Sequence, residues 1–168
     1  MLGVEQLHQA LAAASIDLRK HAEMLRQENK DALYSAFENQ QLRNFFSEFS
    51  FDSELTIGSF SLRQANCLKK DLVWDEDFKR GLKYSLLILG SGISGDMVTV
   101  DLLDFQAGIL FQDYFWERPE EDPKEFLVKL NCSLGQFYLN SIQLPEYPID
   151  AYEAAEFMNS PFTGYADI

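Results

Sequence analysis

The sequence predicts a single α+β domain in which helices precede and follow an antiparallel sheet. Residues 1–50 have helical periodicity and contain no proline. The central part has short apolar segments separated by glycines and polar turns, which is typical of strands. With 168 residues, 46% of them hydrophobic, the chain can bury one core without a disulfide or metal.

Acidic residues dominate the charge of the chain. There are 27 acidic and 14 basic residues, which gives a net charge of −13. Proteins that bind nucleic acids need basic surfaces to neutralise phosphates, so this balance excludes that class. An acidic protein is instead steered toward basic partners.

The N-terminal region, residues 1–50, predicts two helices. Apolar residues recur every three or four positions from Val4 to Leu25 and again from Leu33 to Phe49. We expect the polar segment 27–31 to separate the two helices.

A coiled-coil dimer is an alternative interpretation of the first helix. Its spacing fits a heptad in which one position is occupied by Val4, Leu11, Leu18 and Leu25. The second position becomes polar at His21, so the seam is short. We therefore expect this helix to pack within the chain. A regulatory scaffold that dimerises through it stays as an alternative function.

Residues 55–140 are predicted to form the sheet and a packing helix. A strand or its approach is expected at 56–62, and three further strands follow close together, which predicts an antiparallel meander. These strands are expected at 84–89, 97–102 and 108–115, with a turn at 106–108. In the second, Val98 and Val100 alternate with Thr99 and Asp101, which predicts a half-buried strand.

A helix is expected to begin at Asp122, because this residue can cap a helix that has Pro123 in its first turn. Its inward face would consist of Phe126, Leu127, Leu130 and Leu134. The remaining residues, 141–168, are rich in proline and acidic residues and are interpreted as a C-terminal strap with one short helix near 152–157.

Residues 90–95 spell G-x-G-x-x-G directly after an apolar strand. In dinucleotide-binding proteins this pattern leads into a helix whose N-terminus binds the pyrophosphate. Here the following residues, 96–101, alternate as a strand does. We therefore interpret the glycines as a loop between antiparallel strands. A small ligand-binding or enzymatic domain that uses this loop and nearby carboxylates is kept as an alternative.

Acidic and aromatic residues around the predicted hairpins are the candidate partner-binding residues. The carboxylates are expected on the solvent face of the sheet, and an exposed aromatic beside them could anchor a partner. The candidates are Asp96, Asp101, Asp104, Asp113, Phe115, Trp116 and Glu117.

No catalytic, cofactor-binding or metal-binding set emerges from the sequence. The two histidines, His8 and His21, lie far from the serines of the glycine loop. The two cysteines, Cys67 and Cys132, form no C-x-x-C pair and are interpreted as thiols of a reducing cytosol, with a disulfide between them as the alternative. Neither a secretory signal nor a membrane span is predicted, so we expect a cytoplasmic protein.

The order of motifs between residues 84 and 130 resembles the SUKH superfamily, which includes fungal cell-wall assembly and killer-toxin-resistance regulators and many bacterial immunity proteins. The resemblance lies in a strand that enters a glycine turn at 88–96, a strand that ends at Asp101, the segment 108–111 with Asp113, and Lys124-Glu125-Phe126-Leu127 after an acidic turn. The superfamily's upstream Leu-Pro and Asn-Gly-Gly motifs are absent from this chain.

The resemblance implies a twisted antiparallel sheet flanked by helices and a binding role without catalysis. Bacterial members are commonly immunity proteins that neutralise toxin domains, often nucleases. A nuclease has a basic cleft for its substrate, and a protein of charge −13 would be attracted to that cleft. We therefore expect a non-enzymatic immunity protein, monomeric or homodimeric, whose partner is a basic toxin domain.

Overall fold

The computed structural model describes residues 1–160 and confirms the α+β class. Helices flank two antiparallel sheets, one of two strands and one of four strands in the order β3-β4-β5-β6. The elements in chain order are α1 (Val4–Ala13), α2 (Leu18–His21), α3 (Gln27–Ala36), α4 (Gln40–Glu48), β1 (Leu55–Ile57), β2 (Phe60–Leu62), α5 (Leu68–Trp74), α6 (Glu76–Lys83), β3 (Leu86–Ser91), β4 (Met97–Asp101), β5 (Gln106–Leu110), α7 (Gln112–Glu117), β6 (Leu127–Lys129), α8 (Leu134–Gln143) and α9 (Ala151–Phe157).

The N-terminal region contains four helices where the sequence predicted two. The first predicted helix breaks after α1, where Ser15 adopts a φ of 59°, and restarts at α2, which the Asp17 side chain caps. The segment 27–31, predicted as the separator, is instead the start of α3. A further break precedes α4, because the Asn39 side chain accepts hydrogen bonds from Gln41 and Leu42 and starts a new helix there.

The first helix packs within the chain, as predicted. Leu7 and Leu11 are buried, and α1 lies against α8, where Gly135 donates its N–H to the carbonyl of Leu2 at 2.9 Å. The heptad does not form a continuous seam, because α1 ends at Ala13 and Leu25 lies outside any helix.

The four-stranded sheet forms the centre of the domain. The predicted strands at 84–89 and 97–102 correspond to β3 and β4, which pair antiparallel with Leu87 opposite Val100. The structure corrects the expectation of a half-buried β4, since both of its faces are covered. Thr99 and Asp101, predicted to face solvent, are buried.

The turn and strand after β4 differ from the prediction. Residues 106–108, predicted as a turn, belong to β5, and the chain reverses at 102–105 instead. This turn is stabilised by side chains, because Asp101 accepts from the N–H of Leu103 and Asp104 accepts from the N–H of Gln106. The strand predicted to run to residue 115 ends at Leu110, and α7 begins two residues later.

The prediction of an α-helix that begins at Asp122 is wrong. Asp122 does cap the segment, since it accepts a hydrogen bond from Lys124, but residues Pro123–Phe126 form only a 3₁₀ turn. The chain then pairs with the open edge of β5 as β6, with Val128 opposite Ile109. Pairing to that edge satisfies backbone groups that β5 would otherwise leave free.

The C-terminal strap contains the predicted short helix, which is α9. The helix before it, α8, runs to Gln143 and so crosses the predicted boundary at residue 141. The part of the strap at 161–168 lies outside the described residues.

The two sheets meet at Gly90. The hydroxyl of Tyr138 on α8 donates to the carbonyl of Ser61 at 2.5 Å, and a Cβ at position 90 would overlap that carbonyl oxygen. The N–H of Arg63 continues this contact by donating to the carbonyl of Leu89 at 2.7 Å. Glycine is therefore required at position 90 so that β3 can approach the first hairpin.

We expect Gly90→Ala to lower the free energy of unfolding by about 3 kcal/mol, because the added methyl must displace backbone rather than a flexible side chain. Urea unfolding followed by circular dichroism measures this loss. Ser94→Ala, in the exposed turn of the same hairpin, is the control and should change stability by less than about 0.5 kcal/mol. Equal stability of the two variants would contradict the steric argument.

Candidate functional site

A cleft of about 400 Å³ lies beside the glycine hairpin, between the first sheet, α5 and α6. We call it the acidic cleft. Its charged lining residues are Glu54, Arg63, Asp71, Asp75 and Asp77. Four carboxylates thus face one guanidinium, which leaves an excess of negative charge.

Arg63 is fixed at the wall of the acidic cleft. Its guanidinium lies 2.9 Å from Asp71 and 3.1 Å from Asp75, and it stacks over the ring of Phe78 with 5.0 Å to the ring centre. Burial lowers the pKa of this guanidinium, but the two carboxylates outweigh burial, so its pKa is raised. Arg63 is therefore permanently charged and neutralises part of the cleft.

The two carboxylates that hold Arg63 are differently placed. Burial raises the pKa of Asp71, and the nearby Arg63 only partly opposes this shift. Asp75 lies between α5 and α6 and caps α6 by accepting the N–H of Phe78 at 3.0 Å. These two residues are committed to the fold.

Glu54 and Asp77 are the carboxylates of the cleft that no cation neutralises within residues 1–160. Glu54 is exposed just before β1. Asp77 accepts a hydrogen bond of 3.0 Å from the indole N–H of Trp116 on α7. Trp116 remains 55% exposed, so an aromatic surface adjoins Asp77 at the cleft.

The glycine segment forms the turn between two antiparallel strands, as predicted. The turn closes through hydrogen bonds from Gly92 N–H to the Asp96 carbonyl and from Gly95 N–H to the Gly92 carbonyl. Gly95 adopts a φ of 93°, which favours glycine. A strand follows the turn instead of a helix, so the geometry of a dinucleotide site is not formed.

Asp96 connects this turn to two helices. It is only 6% exposed, and its two carboxylate oxygens accept the N–H of Gln112 at 3.0 Å and the N–H of Ala151 at 2.8 Å. These N–H groups begin α7 and α9 and would otherwise have no partner within their helices. The structure thus corrects the expectation of a solvent-facing Asp96.

Asp101 and Asp104 organise the turn after β4. Asp101, 4% exposed, lies 2.9 Å from the ammonium of Lys129, which also contacts Asp104 at 2.6 Å. Burial acts to raise the pKa of Asp104, but the hydrogen bonds from Lys129 and from the N–H of Gln106, together with the charge of Lys129, outweigh it and the pKa is lowered. Asp101 therefore also departs from the predicted solvent-facing position, and both charges are paired.

The four candidates on α7 differ in burial. Phe115 is buried beneath the guanidinium of Arg80, 4.2 Å from the ring centre, so it is not the surface anchor we expected. Asp113, Trp116 and Glu117 lie on the exposed side of α7. The structure brings Trp116 to the acidic cleft through Asp77.

Sequence reasoning missed the acidic cleft itself. Its carboxylates come from three separate segments, and the only local signal is the acidic run at 75–77, which also predicts an ordinary helix cap. Among the described residues, no group of histidine, cysteine and acidic side chains could hold a metal ion. The cysteines Cys67 and Cys132 are both free, half-buried thiols.

Comparisons of the chain with protein-family models, with curated proteins and with solved structures find no match. In the part of the chain that the structure describes, no helix is long and apolar enough to cross a membrane.

We expect Asp96→Asn to lower the free energy of unfolding by about 2 kcal/mol at pH 7, because an amide can accept only one of the two helix N–H groups and places its own N–H₂ against the other. Urea unfolding measures the loss. Ser91→Ala, near the same turn, is the control. A loss for Asp96→Asn no greater than for the control would contradict the bridging role.

The difference in free energy of unfolding between the wild type and Asp96→Asn should decrease as pH rises. Burial raises the pKa of Asp96 above its ordinary value of 3.8, and the N–H groups of Ala151 and Gln112 offset this only in part. Between the ordinary and raised values the folded wild type binds more protons than the unfolded chain, so its stability falls with rising pH. Other groups titrate equally in both proteins.

Urea unfolding of both proteins from about pH 4 to pH 7 tests this dependence. A difference in free energy of unfolding that increases toward pH 7 would mean that the two N–H groups lower the pKa of Asp96 more than burial raises it.

Proposed function

We propose that the chain is a non-catalytic immunity protein that binds and neutralises a basic toxin domain of the nuclease type. The observation that carries the proposal is the acidic cleft, which contains the exposed Glu54 and the half-buried Asp77, the latter bound by the exposed indole of Trp116. This combination of open charge and an aromatic anchor suits a basic protein surface.

Electrostatic attraction gives such a protein a kinetic advantage. A nuclease must present basic residues to its polyanionic substrate. A chain of net charge −13 raises the rate of encounter with that surface, and the effect weakens as salt screens it. Rapid capture matters when a toxin acts catalytically on the host.

The exposed side of α7 extends this surface beyond the cleft. Asp113 and Glu117 are four residues apart on a helix, so they project from one side, and Trp116 lies next to them. An interface of this kind would place Trp116 in a pocket of the partner and the carboxylates around it.

The resemblance to the SUKH superfamily supports the same class of function. It rests on ordered motifs between residues 84 and 130, and β3, β4 and the turn between them lie within that range. An immunity role also assigns the chain to the cytoplasm, where an incoming nuclease reaches its substrate, and requires a stoichiometric complex.

The test is co-expression with a nuclease-type toxin domain encoded beside this gene, followed by binding measurements. The wild type should abolish nuclease activity at one equivalent and bind more weakly at about 500 mM than at about 50 mM salt. Glu54→Gln combined with Asp77→Asn should raise Kd by about tenfold, mainly through slower association, because both open charges are removed.

Glu38→Gln combined with Glu156→Gln is the matched control. It removes the same charge from exposed positions that do not line the acidic cleft, so Kd should change by less than about threefold. Equal losses in the two double variants would mean that only net charge matters. Absence of any complex at low salt would overturn the proposal.

A further inference from the structure

A second cleft lies on the opposite side of α5 and has the opposite charge. Its volume is about 400 Å³, within the range of small-molecule sites. We call it the basic cleft. Its principal lining residues are Arg26, Asn29, Asn66, Lys69, Lys70 and Trp74. Three cationic side chains therefore share this cleft with one carboxylate, that of Glu28.

The cations of the basic cleft have no ion-pair partner in the described part of the chain. Within residues 1–160, none of Arg26, Lys69 and Lys70 pairs with a carboxylate, although the chain carries 27 acidic residues. The guanidinium of Arg26 instead donates to the backbone carbonyl of Asn66 at 3.0 Å. Positive charge left open in so acidic a protein is available to an anion.

An exposed aromatic side chain adjoins these cations. Trp74, at the end of α5, is 76% exposed, and Val73 beside it is also exposed. An exposed indole face can stack on a planar ring. The basic cleft thus offers a stacking surface and an anion-binding group side by side.

The floor of the basic cleft is rigid. Asn29 and Asn66 are buried, and the amide of Asn29 donates to the Asn66 carbonyl at 2.9 Å. The side-chain oxygens of the two asparagines accept the N–H of Lys69 at 2.9 Å and the N–H of Arg26 at 2.8 Å. The backbones that carry two of the cations are therefore held in place before a ligand arrives.

We infer that the basic cleft binds a small aromatic phosphate of the mononucleotide class. The planar base stacks on Trp74, and the phosphate lies among Arg26, Lys69 and Lys70. A polymeric nucleic acid would be repelled by the net charge of −13, whereas a mononucleotide carries only about two charges. This binding site is independent of the proposed protein partner, because it lies on the other face of α5.

Titration with adenosine monophosphate tests the inference. The chain has two tryptophans, so Trp116→Phe leaves Trp74 as the only indole reporter. The nucleotide should quench its fluorescence saturably, with half-saturation below about 1 mM, and calorimetry on the wild type should give the same affinity. Adenosine and inorganic phosphate should each bind about tenfold more weakly, since each makes half of the contacts.

Two variants separate the contributions of charge and ring. Lys69→Ala combined with Lys70→Ala should weaken nucleotide binding by about tenfold, while Lys20→Ala combined with Lys30→Ala, which removes the same charge outside the cleft, should change it by less than about twofold. Trp74→Ala should reduce the affinity for the nucleotide to that for inorganic phosphate. Circular dichroism checks that each variant is folded.

Three results would overturn the inference. The first is no saturable binding of adenosine monophosphate to the wild type up to about 10 mM. The second is equal affinity for adenosine and its monophosphate, with no effect of the lysine variants. The third is tight binding of a polyglutamate peptide that the nucleotide does not displace, which would assign the cleft to an acidic protein segment.

Discussion

The ion pairs of Arg63 with Asp71 and Asp75 hold the first hairpin against α5 and α6. Because one carboxylate comes from the first turn of α5 and the other from the N-cap of α6, a single guanidinium fixes both helices relative to β2. Burying these charges is costly unless they remain paired, so the network favours one arrangement over others. The position of α5, and with it the shape of both clefts, depends on this contact.

Charge is segregated across α5. Residues Asp71 and Asp75, one helical turn apart, face the acidic cleft, whereas Lys69, Lys70 and Trp74 face the basic cleft. Cys67, just before the helix, lines both. A short helix thus separates a surface suited to a basic protein from one suited to a small anion, so the two proposed ligands do not compete for space.

Elements with strong local patterns were predictable from the sequence. The strands β3 and β4 and the glycine turn follow from apolar periodicity and from residues that favour a bend. The helix α7 was missed because its first N–H is bound by Asp96, sixteen residues earlier in the chain, and no local pattern encodes that contact. The strand β6 was missed because it exists by pairing with β5. The acidic cleft unites Glu54, Arg63 and Asp77, so only the folded chain reveals it.

The shared carboxylate of Asp96 has a consequence for recognition. One side chain accepts hydrogen bonds from the first N–H groups of both α7 and α9. The hairpin turn and the starts of these two helices are therefore held together. The backbone that carries the indole is thereby held in place before any encounter, and the bond to Asp77 orients the ring. Association then sacrifices little conformational freedom at this anchor, and more of the contact energy is retained as affinity.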